Sequence, residues 1–228
     1  TVLRAVRRNG KQTKGTKAMN FRADTYEELQ VANILAVWDR AAATDLADGI
    51  EWYARAQRKA RQIARTHGIA YRTVVAVMAA LSPNNRWERN VIDTDRMCAV
   101  FARAGRLDEV SACTYLANRE KAWRILEEHA RSSNVSHDAI RAILRGPKTS
   151  AFYSNIIGLD DWCTIDGHAR NIAYAERLGL SSAELRIGKL EYRKLVAAYC
   201  EAARRRNVLP SAIQAVTWTT WRREHGIA

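Results

Sequence analysis

The chain alternates between long stretches with apolar residues at helical spacing and short polar breaks. Thr25–Glu28 has the Thr-x-x-Glu form of a capping box at the head of an alanine-rich run. The helix that follows closes at His67-Gly68, with glycine in its usual place after a last turn. Residues 71–82, YRTVVAVMAALS, are apolar nearly all round, which predicts a central buried helix. The β-branched residues there would also suit a strand, but no partner strand is offered elsewhere. Further helices are expected over Trp87–Ala104 (stopped by Gly105), Arg119–Ala130, His137–Leu144, Lys148–Ile157, Gly167–Leu178, Lys189–Arg206 and Ser211–Glu224. In the last of these, Ile213, Val216, Thr217 and Thr220 share one face, and Trp218 and Trp221 form a neighbouring stripe. Both stripes read as packing. The pattern predicts an all-α fold, a compact multi-helix array in one domain over residues 21–228, with room for two helical lobes.

Composition adds a partner class. Among 228 residues, 47% are hydrophobic, so the chain can bury a real core. No apolar run approaches the length that spans a bilayer, and no apolar segment follows the basic N-terminus as in a signal peptide. Cys98, Cys113, Cys163 and Cys200 are scattered without a CxxC pair. They read as reduced, mostly buried thiols, and neither a metal nor a cofactor is expected. The net charge of +13 is partly a tail effect. Residues 1–17 hold six Lys and Arg and no acid, so residues 1–20 read as a basic arm or a solvated terminus. The remainder still carries 31 basic against 24 acidic side chains, or +7. Such an excess favours a polyanion, because Lys and Arg displace condensed counterions from phosphates. It also suits a merely soluble basic surface.

Two stretches carry candidate chemistry. RGPKTSAFYSNIIGLDDWCTIDGHAR (Arg145–Arg170) sets Lys148 just after a Gly-Pro turn and Asp166 at the mouth of the next helix, 18 residues on. By themselves these residues allow plainer roles: Asp166 as an N-cap, Lys148 as a solvated first-turn lysine, His168 and Arg170 as a solvated helix face. SPNNRWER (Ser82–Arg89) is too polar for core. Its Ser82, Asn84, Asn85, Arg86 and Trp87 are candidates for contact with a ligand, with Trp87 open to a core role as well.

Taken in order, these segments resemble the helix-hairpin-helix DNA glycosylase superfamily (HhH-GPD), the endonuclease III-like and adenine-glycosylase relatives. Gly146-Pro147-Lys148-Thr149-Ser150 is similar to the Gly-x-Lys-Thr-Ala that ends the family hairpin, and Ile165-Asp166-Gly167-His168 to the segment bearing its aspartate. MAALSPNN (Met78–Asn85) resembles Leu-Leu-Ser-x-Gln, with Asn84 in place of a polar residue at the DNA gap. Lys121, Ala122 and Ile125 resemble Lys-Ala-x-x-Ile, and Arg177–Leu180 reads RLGL as in the family. The likeness runs from Tyr71 to Leu180. It departs where the family hairpin reads Leu-Pro-Gly-Val-Gly: here Ala142, Ile143, Leu144, Arg145 and Gly146 lack the proline and the first glycine. The iron–sulfur cysteines of some relatives are missing too.

The resemblance implies a glycosylase-like array acting on a modified or damaged base flipped out of double-stranded DNA. Asp166 would stabilise charge at the sugar C1′. Lys148 would be the amine that attacks that carbon; a lysine in a partly desolvated pocket gives up its proton more easily. Arg145, Gly146, Thr149, Asn84, Asn85, Arg86, His168 and Arg170 are the DNA-binding candidates, with Trp87 and Ser82 at the pocket. The protein would work as a monomer without a membrane partner, in the cytoplasm or nucleoid or in a phage-infected cell. Two rivals stand beside this reading. One is a phage-type transferase that replaces pyrophosphate on an activated hydroxymethylpyrimidine with an amine or amino acid. The other is a noncatalytic DNA-binding module.

Overall fold

A computed structural model describes residues 26–159, 162–179 and 182–227, and the basic tail expected over residues 1–20 lies outside them. Every regular element among the described residues is helical, so the fold is all-α. Ten α-helices follow one another among the described residues: α1 (Glu28–Asp39), α2 (Ala43–His67), α3 (Tyr71–Leu81), α4 (Trp87–Ala102), α5 (Leu116–Arg131), α6 (His137–Leu144), α7 (Pro147–Ile157), α8 (Gly167–Tyr174), α9 (Lys189–Arg206) and α10 (Pro210–Glu224). None is long and apolar enough to cross a membrane.

Several helix ends differ from the sequence pattern. Thr25 lies outside the described residues, and α1 starts at Glu28 after an N-cap at Glu27 that makes no side-chain cap bond. Gly68 does close α2, at φ 66°. Helix α5 begins three residues before the expected Arg119, because Tyr115 takes the N-cap position without a capping side chain to announce it. Helix α8 stops at Tyr174 instead of Leu178. Ala175 turns left-handed, and the Asn171 side chain donates to the Leu178 carbonyl at 2.9 Å.

The described residues fall into two compact units, with boundaries at Ile50/Glu51, inside α2, and at Thr164/Ile165. In the first unit, α1 is the middle helix, against α8, α9 and α10. It buries Val31, Ile34 and Val37. The first turns of α2 present Asp45 and Gly49, one turn apart, to α10. Asp45 is buried, pairs with Arg223 at 2.8 Å and accepts the Ala42 N–H at 2.9 Å. Thr219 donates to the Asp45 carbonyl at 3.1 Å. The stripe Ile213, Val216, Thr217 and Thr220 is fully buried, as its spacing implied.

In the second unit, α3 is the central helix, packed by α4, α5, α6 and α7. Residues 73–81 are all buried. That burial is why α3 shows no polar face in the sequence. Of the four cysteines, Cys98 and Cys163 are buried, Cys200 is half-buried and Cys113 is exposed.

Candidate nucleic-acid interface

Outside residues 1–25, charge is unevenly shared between the units. Residues 26–50 and 165–228 carry 12 Lys and Arg against 11 acids, while residues 51–164 carry 18 against 12. The basic excess outside the N-terminal segment therefore belongs almost wholly to the second unit.

Helices α6 and α7 are joined there by Arg145 and Gly146 alone. Arg145 takes the left-handed conformation after α6, at φ 58°. Gly146 caps α7, with Pro147 in its first turn. Thr149 turns its hydroxyl back to the Gly146 carbonyl at 3.1 Å. Lys121, from the middle of α5, donates to the Leu144 carbonyl at 3.3 Å, and Ala122 and Ile125 are fully buried beside it. The Lys-Ala-x-x-Ile segment thus holds the end of α6, where a cation suits the negative end of a helix. Among the described residues, neither the exposed Arg145 side chain nor the half-buried Lys148 side chain has an ion-pair or hydrogen-bond partner, and the N–H groups of Lys148 and Thr149 meet no acceptor.

A left-handed non-glycine residue costs roughly 1 kcal/mol. Arg145→Gly is therefore expected to raise stability by about 0.5–1 kcal/mol in chemical denaturation while removing one surface cation.

The polar stretch between α3 and α4 splits into a scaffold and an exposed edge. Asp93 of α4 is fully buried. It accepts from Arg89 Nε at 2.9 Å, from the Asn85 amide at 3.0 Å and from the Cys113 N–H at 2.8 Å. Asn85 also donates to the Leu81 carbonyl, Ser82 to the Ala79 carbonyl, and Thr114 to the Pro83 carbonyl. Asn85 and Ser82, candidates for DNA and pocket contact, are thus engaged inside the unit. Asn84 is exposed and left-handed, and donates to the Tyr115 hydroxyl at 3.0 Å. Arg86 is exposed without a partner among the described residues.

Tyr115 itself is 66% exposed, next to the exposed Leu116. Neither stands among the candidates drawn from the sequence. A large aromatic and a leucine side by side just ahead of a helix were the available signal. Tyr115, beside Asn84, and Lys121, beside Leu144, are six residues apart, or roughly 9 Å along the α5 axis.

An aromatic cluster packs against the core of the second unit. Trp87 is half-buried, with its ring tilted against that of Trp52 at 4.8 Å; Trp52 meets Tyr53 at 4.9 Å and Phe152 at 5.8 Å. Phe152 follows Lys148 by one turn of α7, so both lie on the same face of that helix.

The remaining candidates belong to the first unit. Asp166 is the N-cap of α8, one carboxylate oxygen accepting the Ala169 N–H at 2.8 Å. His168 is 8% exposed, with its ring edge-on to Trp218 at 6.5 Å, which is a packed position. Arg170 pairs with Glu176 at 2.7 Å and Glu191 at 3.1 Å and lies over Tyr174. Its charge is already matched by two carboxylates. No group of three His, Cys, Asp or Glu side chains among the described residues could hold a metal ion.

A family model matches residues 17–225, a span that takes in both units. The chain belongs to a family of unknown function, DUF7178. Neither a curated protein nor a solved structure matches it.

Proposed function

We propose that this protein binds double-stranded DNA through its second unit and acts on a modified or damaged base turned out of the duplex, cleaving the N-glycosidic bond. The observation that carries the reading is the segment 145–149, which holds two cationic side chains and two backbone N–H groups without a partner among the described residues. Backbone amides and Lys or Arg at a helix start are suited to a phosphate. Arg86 adds a third unpaired cation on the same unit. Tyr115 and Leu116 have the character of side chains that fill the space left by an extruded base. The rings around Trp52 offer faces on which a base can stack.

The catalytic roles follow the glycosylase resemblance. Attack by the Lys148 amine on C1′ would release the base and leave a Schiff base with the sugar, which opens the way to strand cleavage. Asp166 would stabilise the positive charge that develops at that carbon. Asp166→Asn is a clean probe of this role, because asparagine caps a helix as well as aspartate does.

Binding is tested by fluorescence anisotropy on an undamaged duplex over a range of salt. Wild type should lose affinity steeply as salt rises. Arg145→Gln with Lys148→Gln should flatten the slope of log K by about 2, or about 0.9 for each phosphate that is no longer neutralised. An unchanged slope would remove the turn from the interface.

A noncatalytic DNA-binding module is the second reading, and one observation favours it: Asp166, His168 and Arg170 all have structural roles within the first unit. It expects Asp166→Asn to be silent in every assay.

A further inference from the structure

We propose a phosphate-binding site at the start of α6, formed by His137, Arg72 and Arg141, separate from the turn at 145–148. The three side chains come from two helices and border one short segment. Arg72, near the start of α3, donates to the Asn134 side chain at 3.2 Å and to the Val135 carbonyl at 3.1 Å, immediately before α6. His137 is the first residue of α6, and Arg141 follows one turn later on the same face.

The ring of His137 is held from below. Its Nδ1 is 2.8 Å from the hydroxyl of Tyr153, a fully buried residue of α7. The second ring nitrogen, Nε2, has no protein partner among the described residues. The Arg141 guanidinium lies over the Trp162 ring at 5.4 Å. The acid that acts on His137 is Asp138, which pairs with Arg141 at 2.8 Å and whose side chain is 83% exposed. Two guanidinium groups and an imidazole thus share one half-buried place with a single solvated carboxylate.

That imbalance leaves a mark on the histidine. Burial holds its pKa below the ordinary 6.5, and Arg72 and Arg141 push it the same way, against Asp138. Tyr153 stays neutral, its pKa raised by burial. Its hydroxyl can donate to Nδ1 of the neutral ring, and accepts from the ring once the imidazole is protonated.

A phosphate oxygen here would accept from both arginines and from Nε2, and its charge would offset theirs. Binding the anion then favours imidazolium, so a proton is taken up with it. With no anion bound, the unfolded chain gains its proton first as pH falls below 6.5. This contribution to stability is present above that pH and lost below it. A bound phosphate reduces the loss.

The test follows the Hε1 signal of His137 by NMR in the full-length protein, assigned through His137→Gln. Titrations are compared in chloride, in inorganic phosphate at equal ionic strength, and with an undamaged DNA duplex. The expected result is a titration midpoint about one pH unit higher in phosphate. That corresponds to about tenfold tighter binding of the ion to imidazolium than to imidazole. Arg141→Gln and Arg72→Gln should each abolish the response. A midpoint raised by the duplex but not by free phosphate also supports the site and makes a DNA backbone phosphate its occupant. A midpoint identical in all three conditions, or one that moves no further than that of His67, overturns it. The wild-type titration decides even if an arginine variant fails to fold. The outcome is independent of Arg145 and Lys148, so the DNA reading stands or falls separately.

Discussion

Gly49→Ala is expected to destabilise the protein by about 2–3 kcal/mol, which lowers Tm by roughly 5–10 °C. Helix propensity argues the opposite sign. Gly49 lies within α2, where alanine is ordinarily better than glycine by about 1 kcal/mol. The packing decides against it. A Cβ on Gly49 would come within 2.4 Å of Val216 Cα, 2.6 Å of the Val216 nitrogen and 2.6 Å of its Cγ2. Two of these are backbone atoms, so no rotamer change clears them, and α10 would have to move away from α2. Such a shift would also strain the Asp45–Arg223 pair and the bond from Thr219 to the Asp45 carbonyl, both at the same seam. A thermal denaturation series checks the sign. A neutral or raised Tm for Gly49→Ala would mean that this close approach is not maintained in solution.

Asp93→Ala should cost about 3 kcal/mol, measured as a shift of the urea midpoint at constant m. The carboxylate is fully buried and accepts from three donors on three segments: Arg89 of α4, Asn85 of the preceding loop and the Cys113 N–H. Truncation removes three charge-assisted bonds made at a fully buried acceptor, and their loss is the larger part of the cost; Asn85 keeps its bond to the Leu81 carbonyl. Arg89→Ala should be milder, about 1–2 kcal/mol, because the buried Asp93 carboxylate that it leaves behind still accepts from Asn85 and from the Cys113 N–H, and the side chain removed is 42% exposed. Equal losses from the two substitutions would show that the ion pair, not the buried acceptor, matters. Since this network also sets the loop that carries Asn84 and Arg86, Asp93→Ala should weaken DNA binding more than Arg89→Ala does.

Features that rest on local pattern were legible in the sequence. Helix α3 is apolar on every side because other helices surround it, and the α10 stripe is apolar on one side because it faces a core. Gly68 marked the end of α2 because a left-handed residue was needed there. What the pattern missed depends on partners distant in sequence, or on backbone without a side-chain signature. Nothing in Tyr115 marks it as an N-cap. Likewise, the break at Ile50/Glu51 lies inside an uninterrupted helix, so no turn residue announces it.

The candidate site divides along the same line. Lys148 and Arg145 are spaced by a turn that the Gly-Pro pair predicts, and both are found unpaired. For His168 and Arg170, residues far along the chain settle the roles: Trp218 for one, Glu191 for the other. Asn85 looked free to contact DNA, yet Asp93, eight positions on, engages it. The net charge of the whole chain could not say that, outside residues 1–25, the excess belongs almost wholly to residues 51–164.

The proposed activity is tested most directly by base release from a panel of duplexes carrying uracil, oxidised, alkylated and 5-hydroxymethylated bases, the last with and without pyrophosphorylation, analysed by mass spectrometry. Wild type should release free base from at least one duplex. Asp166→Asn should release none at unchanged duplex affinity, and borohydride should trap an adduct with wild type that Lys148→Gln does not form. The contradicting result is no free base from any duplex. If the nucleosides then gain mass when amines are supplied with the pyrophosphorylated base, the reaction is transfer to the base. If nothing changes while the duplex still binds, the protein is a noncatalytic DNA-binding module.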